Sequence, residues 1–244
     1  MKAIILAGGK GTRLAPYTTV FPKPMLPIGN KPILEIIIRQ LVHYGFKDIV
    51  ICTGYLGELI QAYFKNNKSL PKEINISYVY EDKPLGTAGP IALVADLKET
   101  VLIMNGDVLT TLDYKKLLVF HKNKNHLLTI AINKKEVKMD LGIIELDGDN
   151  RVVDYIEKPT YTFNDSMGIY VCEPEIIKYL NPGEYLDFPT LVKKLINDKK
   201  KVCGYYSDSS YYWIDMGRHG DYQKANEDFE KRRKEFLPNE DFII

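Results

Sequence analysis

Two short segments hold most of the residue types that could do chemistry. Leu6-Ala7-Gly8-Gly9-Lys10-Gly11-Thr12-Arg13-Leu14 directly follows a short apolar run. Glycines let a backbone pass close to a ligand and turn its N–H groups toward phosphate oxygens. Arg13 adds a planar cation able to grip a phosphate through two hydrogen bonds. A dinucleotide fingerprint would need a third glycine where Leu14 stands, and a Walker A loop would end in Gly-Lys-Ser/Thr. The segment matches neither. Further on, Phe21-Pro22-Lys23-Pro24-Met25 sets one lysine between two prolines, which stiffen the backbone and withhold amide donors. Lys23 is therefore a second candidate phosphate cation.

The elements that must position these residues follow from hydrophobic periodicity. Residues 3–7 read as a buried strand. Residues 32–44 read as a helix, with Pro32 in its first turn and Ile33, Leu34, Ile37 and Leu41 at helical spacing. Strands are expected at 48–53, 75–80 and 101–104, and helices at 56–64 and, despite Pro90, at 87–97. That alternation predicts parallel βαβ units with helices on both faces. The second half changes character. Strands at 126–133, 142–146, 151–156 and 167–172 are broken by polar turns, of which Asp147-Gly148-Asp149-Asn150 is the clearest hairpin signal. Helices at 174–180, 188–198 and 221–235 and strands at 202–206 and 211–215 complete the pattern. The fold class is α/β: a mixed, mostly parallel sheet flanked by helices, with a smaller antiparallel part. No Pro/Gly/Ser linker divides it, so one domain is expected over 1–235, made of halves 1–125 and 126–235, with 236–244 as a tail.

Composition narrows the partners. The 244 residues carry 33 Lys+Arg against 32 Asp+Glu, a formal charge of +1, so no basic excess exists to hold nucleic acid or an anionic membrane. Three cysteines, Cys52, Cys172 and Cys203, fit neither a disulfide framework nor a zinc site. His43, His121, His126 and His219 share no ligand spacing. No apolar run approaches the ~20 residues of a membrane span, and no signal peptide is recognisable. A cytoplasmic protein is expected.

Further motifs carry a family resemblance: Lys31-Pro32-Ile33-Leu34, Pro84-Leu85-Gly86-Thr87-Ala88-Gly89, Asn105-Gly106-Asp107, Val153-Asp154-Tyr155-Ile156-Glu157-Lys158-Pro159, Met167-Gly168-Ile169-Tyr170 and Trp213-Ile214-Asp215-Met216-Gly217. With the two opening segments, and in this order, they resemble the sugar-phosphate nucleotidyltransferases, or nucleotide-sugar pyrophosphorylases. The resemblance runs from Met1 to about Asn226. It implies a Rossmann-like core that converts a nucleoside triphosphate and a sugar 1-phosphate into a nucleotide sugar and pyrophosphate, with Mg²⁺.

Residue by residue, the resemblance implies nucleotide contacts at Leu6, Gly8, Gly9, Gly11, Thr12 and Arg13, with Glu81, Gly86 and Thr87 where the base edge is read. Arg13 and Lys23 match the cations that neutralise triphosphate charge. Asp107 and Asp215 match metal ligands, Asp107 being counted with Arg13 and Lys23 as catalytic. Gly142, Glu157 and Lys158 match sugar-phosphate contacts. A sugar phosphate is already an anionic nucleophile near neutral pH, since its second pKa is about 6. The site therefore needs alignment and charge stabilisation rather than a general base. The 81–90 region most resembles mannose-1-phosphate guanylyltransferases, so GTP with mannose 1-phosphate or a related sugar phosphate is expected. Cytidylyl or thymidylyl transfer to another phosphate, or a nucleotide-sugar-binding homologue without turnover, are the alternatives. No β-helix extension is recognisable after the last helix, which points to a single activity. A homodimer stays open.

Overall fold

The apolar run after Met1 becomes strand β1 (Lys2–Ala7), with Ala3, Ile4 and Ile5 fully buried. Burial on both faces is what a central parallel strand requires. The structure, a computed structural model, describes residues 1–238. After β1 come the two-residue strands β2 (Pro27–Ile28) and β3 (Lys31–Pro32), helix α1 (Ile33–His43), β4 (Asp48–Thr53), α2 (Gly57–Asn66), β5 (Asn75–Tyr80), β6 (Val101–Asn105), β7 (Val108–Thr110) and α3 (Tyr114–Lys124). The remainder comprises β8 (Leu128–Lys138), β9 (Ile143–Leu146), β10 (Val152–Ile156), β11 (Thr160–Cys172), α4 (Phe188–Asn197), β12 (Val202–Tyr205), β13 (Trp213–Asp215) and α5 (His219–Phe236).

Seven strands form the central sheet in the order β12-β8-β11-β6-β1-β4-β5. β1 runs parallel to both β4 and β6, while β11 lies antiparallel between β6 and β8. Alternate residues of β1 face two different cores. Ala3 and Ile5 pack with residues of α1, α2, α3 and α5, whereas Ile4 packs with Phe188, Leu191 and Leu195 of α4. The chain steps outward from β1 through β4 to β5, then returns to β6 on the other side of β1. Ligands bind at such a switch point, beyond the carboxyl ends of the strands.

Several elements differ from the sequence reading. The helix expected at 87–97 is only a 3-10 turn at Gly89–Leu93, with Pro90 near its start. The helix expected at 174–180 is likewise a 3-10 segment, Pro174–Tyr179. β8 and β11 run well beyond 126–133 and 167–172. Their additional residues, 134–138 and 160–166, form an exposed two-stranded ribbon, in which Tyr161 and Phe163 alternate with threonines yet lie on no buried face. β7 was not anticipated. In the segment expected as a tail, Phe236 and Leu237 are buried beside Phe229, while 239–244 lie outside the described residues.

Candidate active site

At the switch point Leu6 of β1 stands opposite Asn105 of β6, and the Gly106 N–H donates to the Leu6 carbonyl at 2.8 Å. The loops leaving these strands open into a cavity of about 770 Å³. Leu6, Gly8, Gly9, Gly11, Thr12 and Arg13 border it from the β1 side. Glu81, Gly86 and Thr87 border it from the segment after β5, and Lys23, Asp107 and Asp215 complete the expected set. Residues up to 209 positions apart in the sequence thus meet around one space.

Lys23 owes its position to its prolines. Pro22 is extended and Pro24 continues the 3-10 turn Lys23–Met25, which leaves Lys23 only 8% exposed. Its ammonium donates to Asp107 Oδ2 and stands 3.8 Å from Asp215 Oδ1. The strand expected at 211–215 is the shorter β13, which ends at Asp215. It pairs with β7 in a separate two-stranded ladder, with Asp215 opposite Val108, and the Met216 N–H donates to the Asp107 carbonyl at 3.2 Å. That ladder brings the two carboxylates together.

The pair is electrostatically demanding. Burial and the charge of Asp107 raise the Asp215 carboxyl above its ordinary range, against the opposing pull of Lys23 and Arg13. Although the Asp215 side chain is 46% exposed, its Oδ1 is buried and accepts no hydrogen bond. An unsatisfied buried carboxylate oxygen beside a second carboxylate fits a hard divalent cation. Among the described residues no third carboxylate, histidine or cysteine joins them, so the other ligands would be phosphate oxygens and water.

Glu81 explains one glycine. A Cβ on Gly8 would lie 1.6 Å from Glu81 Oε1, so only glycine lets this carboxylate lie against the β1 loop. Its other oxygen accepts the Leu85 N–H at 3.0 Å, and burial raises its pKa. A carboxylate held this way can receive N–H donors from the edge of a base.

A second cavity of about 590 Å³ shares Arg13, Asn105 and Asp215 with the first. Its other walls include Lys135, Asp165, Trp213, Arg218 and Asp221. Trp213 is fixed by its indole N–H, which donates to the Met167 carbonyl at 3.0 Å. None of Lys135, Asp165, Arg218 or Asp221 was singled out from the sequence. Arg218 could have been, since it directly follows Trp213-Ile214-Asp215-Met216-Gly217; Lys135 and Asp165 have no local signal. Gly142, Glu157 and Lys158 border neither cavity. They flank the β9–β10 hairpin beyond the ribbon, with the Glu157 and Lys158 side chains 61% and 57% exposed and 3.7 Å apart.

Arg13 and Asp215 at the partition between adjoining cavities, with Lys23 and Asp107 beside them in the larger, can hold polyphosphate in one and an anionic nucleophile in the other. A comparison with known proteins agrees with that class. The chain belongs to the nucleotidyl transferase family, whose model matches residues 2–232. It is 35% identical to D-glycero-alpha-D-manno-heptose 1-phosphate guanylyltransferase of Aneurinibacillus thermoaerophilus, covering 94% of this chain and 99% of that one. It is 31% identical to a UTP–glucose-1-phosphate uridylyltransferase of Synechocystis sp., covering 92% of this chain but spanning only 62% of the longer relative. HddC from Yersinia pseudotuberculosis, solved in complex with GMP-PN, is similar in structure with a TM-score of 0.70. That similarity comes at 29% identity and covers 93% of this chain and 99% of HddC. No helix among the described residues is long and apolar enough to cross a membrane.

Proposed function

We propose that the protein is a Mg²⁺-dependent sugar-1-phosphate nucleotidyltransferase, with GTP as nucleotide and mannose 1-phosphate or a related manno-configured sugar phosphate as acceptor. One observation carries this reading: Arg13 and Asp215 line both cavities, with Lys23 and Asp107 beside them. The glycine loop and Glu81 would take the nucleotide in the larger cavity, and the smaller cavity would take the acceptor. An acceptor phosphate oxygen would attack the α-phosphorus, and the bond to the β-phosphate would break to release pyrophosphate. Arg13 and Lys23 would stabilise charge that builds on the phosphoryl oxygens. Asp107 and Asp215 would hold Mg²⁺, which supplies Lewis-acid stabilisation of the same charge.

Guanine is favoured because a carboxylate suits its adjacent N1–H and N2–H donors. The guanylyltransferase relative that this chain spans almost entirely supports the same choice. On the acceptor side, Lys135 and Arg218 join Arg13 as the cations in place. Gly142, Glu157 and Lys158 remain acceptor contacts by resemblance alone. A raised acceptor KM in Lys158→Ala, with nucleotide affinity unchanged, is the result that would support that role.

The test is pyrophosphate release with Mg²⁺ across GTP, CTP, UTP, dTTP and ATP against a panel of sugar 1-phosphates. Release with GTP and a manno-configured phosphate supports the reading. Release only with another nucleotide would reassign Glu81, and silence across the panel would leave a binding protein.

A further inference from the structure

Tyr185 borders the larger cavity, yet no motif or comparison gives it a role. It sits in residues 181–187, between the 3-10 segment Pro174–Tyr179 and α4, where no regular structure holds the backbone. The segment is nonetheless fixed onto the loop that borders Glu81. Leu186 N–H donates to the Leu85 carbonyl at 2.9 Å, and the Leu186 carbonyl accepts from Ala88 and Gly89 at 2.8 and 3.0 Å. The Asp187 carboxylate accepts from the Thr87 N–H at 2.9 Å, the Thr87 hydroxyl at 3.2 Å and the Tyr185 hydroxyl. The Thr87 hydroxyl oxygen in turn accepts the Phe188 N–H at 2.9 Å.

This contact also gives Gly86 a cause that the resemblance did not supply. Its φ is +77°, and a Cβ there would lie 2.6 Å from the Leu186 carbonyl oxygen. Gly86 is the seat on which the 181–187 segment rests.

The consequence falls on the tyrosine. Tyr185 is 65% exposed, although its hydroxyl, its only polar side-chain group, already donates to Asp187. What remains available to a ligand is the ring. Burial raises the Asp187 carboxyl, but the bonds from Tyr185 and Thr87 more than offset it and hold its pKa below the usual value, so it stays an ionised acceptor. The ring is tied to Leu85, whose N–H holds Glu81, whereas the cations that would take phosphate come from the Gly11–Lys23 side. Aromatic faces stack on nucleobases with little preference among them.

We propose that the Tyr185 ring contacts the nucleobase of the bound nucleotide and that Asp187 is its positioning residue. This rests on the larger cavity being the nucleotide site. Glu81 then selects among bases, while Tyr185 adds affinity for all of them.

The experiment is calorimetric titration of Mg-GTP and Mg-UTP, without acceptor, into wild type, Tyr185→Ala, Tyr185→Phe, Asp187→Ala and the double variant Tyr185→Phe/Asp187→Ala. The expected result is a Kd about tenfold weaker in Tyr185→Ala for each nucleotide that wild type binds. Tyr185→Phe and Asp187→Ala should each weaken binding by about two- to threefold, and the double variant should be no weaker than the worse single, because both remove the Tyr185–Asp187 bond. The kcat at saturating nucleotide should stay within about twofold. A Tyr185→Ala Kd within twofold of wild type, with Tm unchanged, overturns the proposal alone. Wild type that binds no nucleotide at all overturns the nucleotide-site reading beneath it as well.

Discussion

The two cavities that meet at Arg13, Asn105 and Asp215 are made in different ways. The larger is bordered mostly by unbroken runs of sequence, residues 6–13 after β1 and 80–87 at the end of β5, with Glu81 laid against Gly8. The smaller is bordered by residues of β8, β11, β13 and the start of α5, drawn from separate stretches of sequence. A ligand read by backbone constrains consecutive residues, because close approach demands glycine at fixed positions. One read by side chains leaves the spacing free, and its residues are joined only by the fold. Under the proposed function, this is why the nucleotide side declares itself in motifs while the acceptor side, where sugar specificity would lie, does not.

The strongest way to break this comparison is at the partition. Asp107→Ala and Asp215→Ala should each lower Mg²⁺-dependent pyrophosphate release by about 10² or more, as loss of a charge-stabilising group does. Near-normal turnover in either would remove the two-carboxylate centre. Next comes Gly8→Ala, whose methyl must displace Glu81. The nucleotide Kd should weaken by about tenfold while the acceptor KM stays within twofold. Arg218→Ala should do the reverse, raising the acceptor KM about fivefold with nucleotide affinity intact. If both variants moved both constants, the division into two cavities would fail.

The smallest effect lies away from both cavities and serves as a control. His121 is fully buried, with Nδ1 2.8 Å from Thr129 Oγ1 and Nε2 3.0 Å from Glu173 Oε1. Burial lowers its pKa, helped by His126 and Lys122 and opposed by Glu173. The unfolded chain therefore binds this proton more readily, so the contribution to stability is present above about pH 6.5 and is lost as pH falls below it. Wild-type Tm should drop more between pH 7 and 5.5 than that of His121→Asn, with turnover at pH 7.5 little changed. Equal slopes would show that His121 does not titrate with unfolding.

Where periodicity was strong, the sequence was readable. β1, α1 and β4 appear within a residue or two of expectation because their apolar residues fall at strand or helix spacing and are buried. Pro90 misled, since a short apolar stretch holding a proline makes a 3-10 turn as readily as a helix. The β8 half of the ribbon had no signal past residue 133, because Lys134, Lys135 and Glu136 are held by strand pairing without a buried face, whereas the alternation of Tyr161 and Phe163 with threonines could have marked the β11 half. Lys23 could be proposed from its prolines, but its partnership with Asp107 and Asp215 depends on the β7–β13 ladder, which no local pattern announces. Tyr185 was hidden for a similar reason: the residues that hold its segment, Leu85 to Gly89, lie about 100 positions away.

The central claim is that nucleotide and acceptor meet at the partition formed by Arg13 and Asp215, with Lys23 and Asp107 beside it. A crystal structure with Mg²⁺ and a GTP analogue carrying a methylene between the α- and β-phosphorus tests it most directly, because the scissile linkage is then inert. The account predicts guanine against Glu81, the α-phosphate beside Arg13 and Lys23, and Mg²⁺ on Asp107 and Asp215. A nucleotide bound elsewhere, or a metal held without either aspartate, would contradict it.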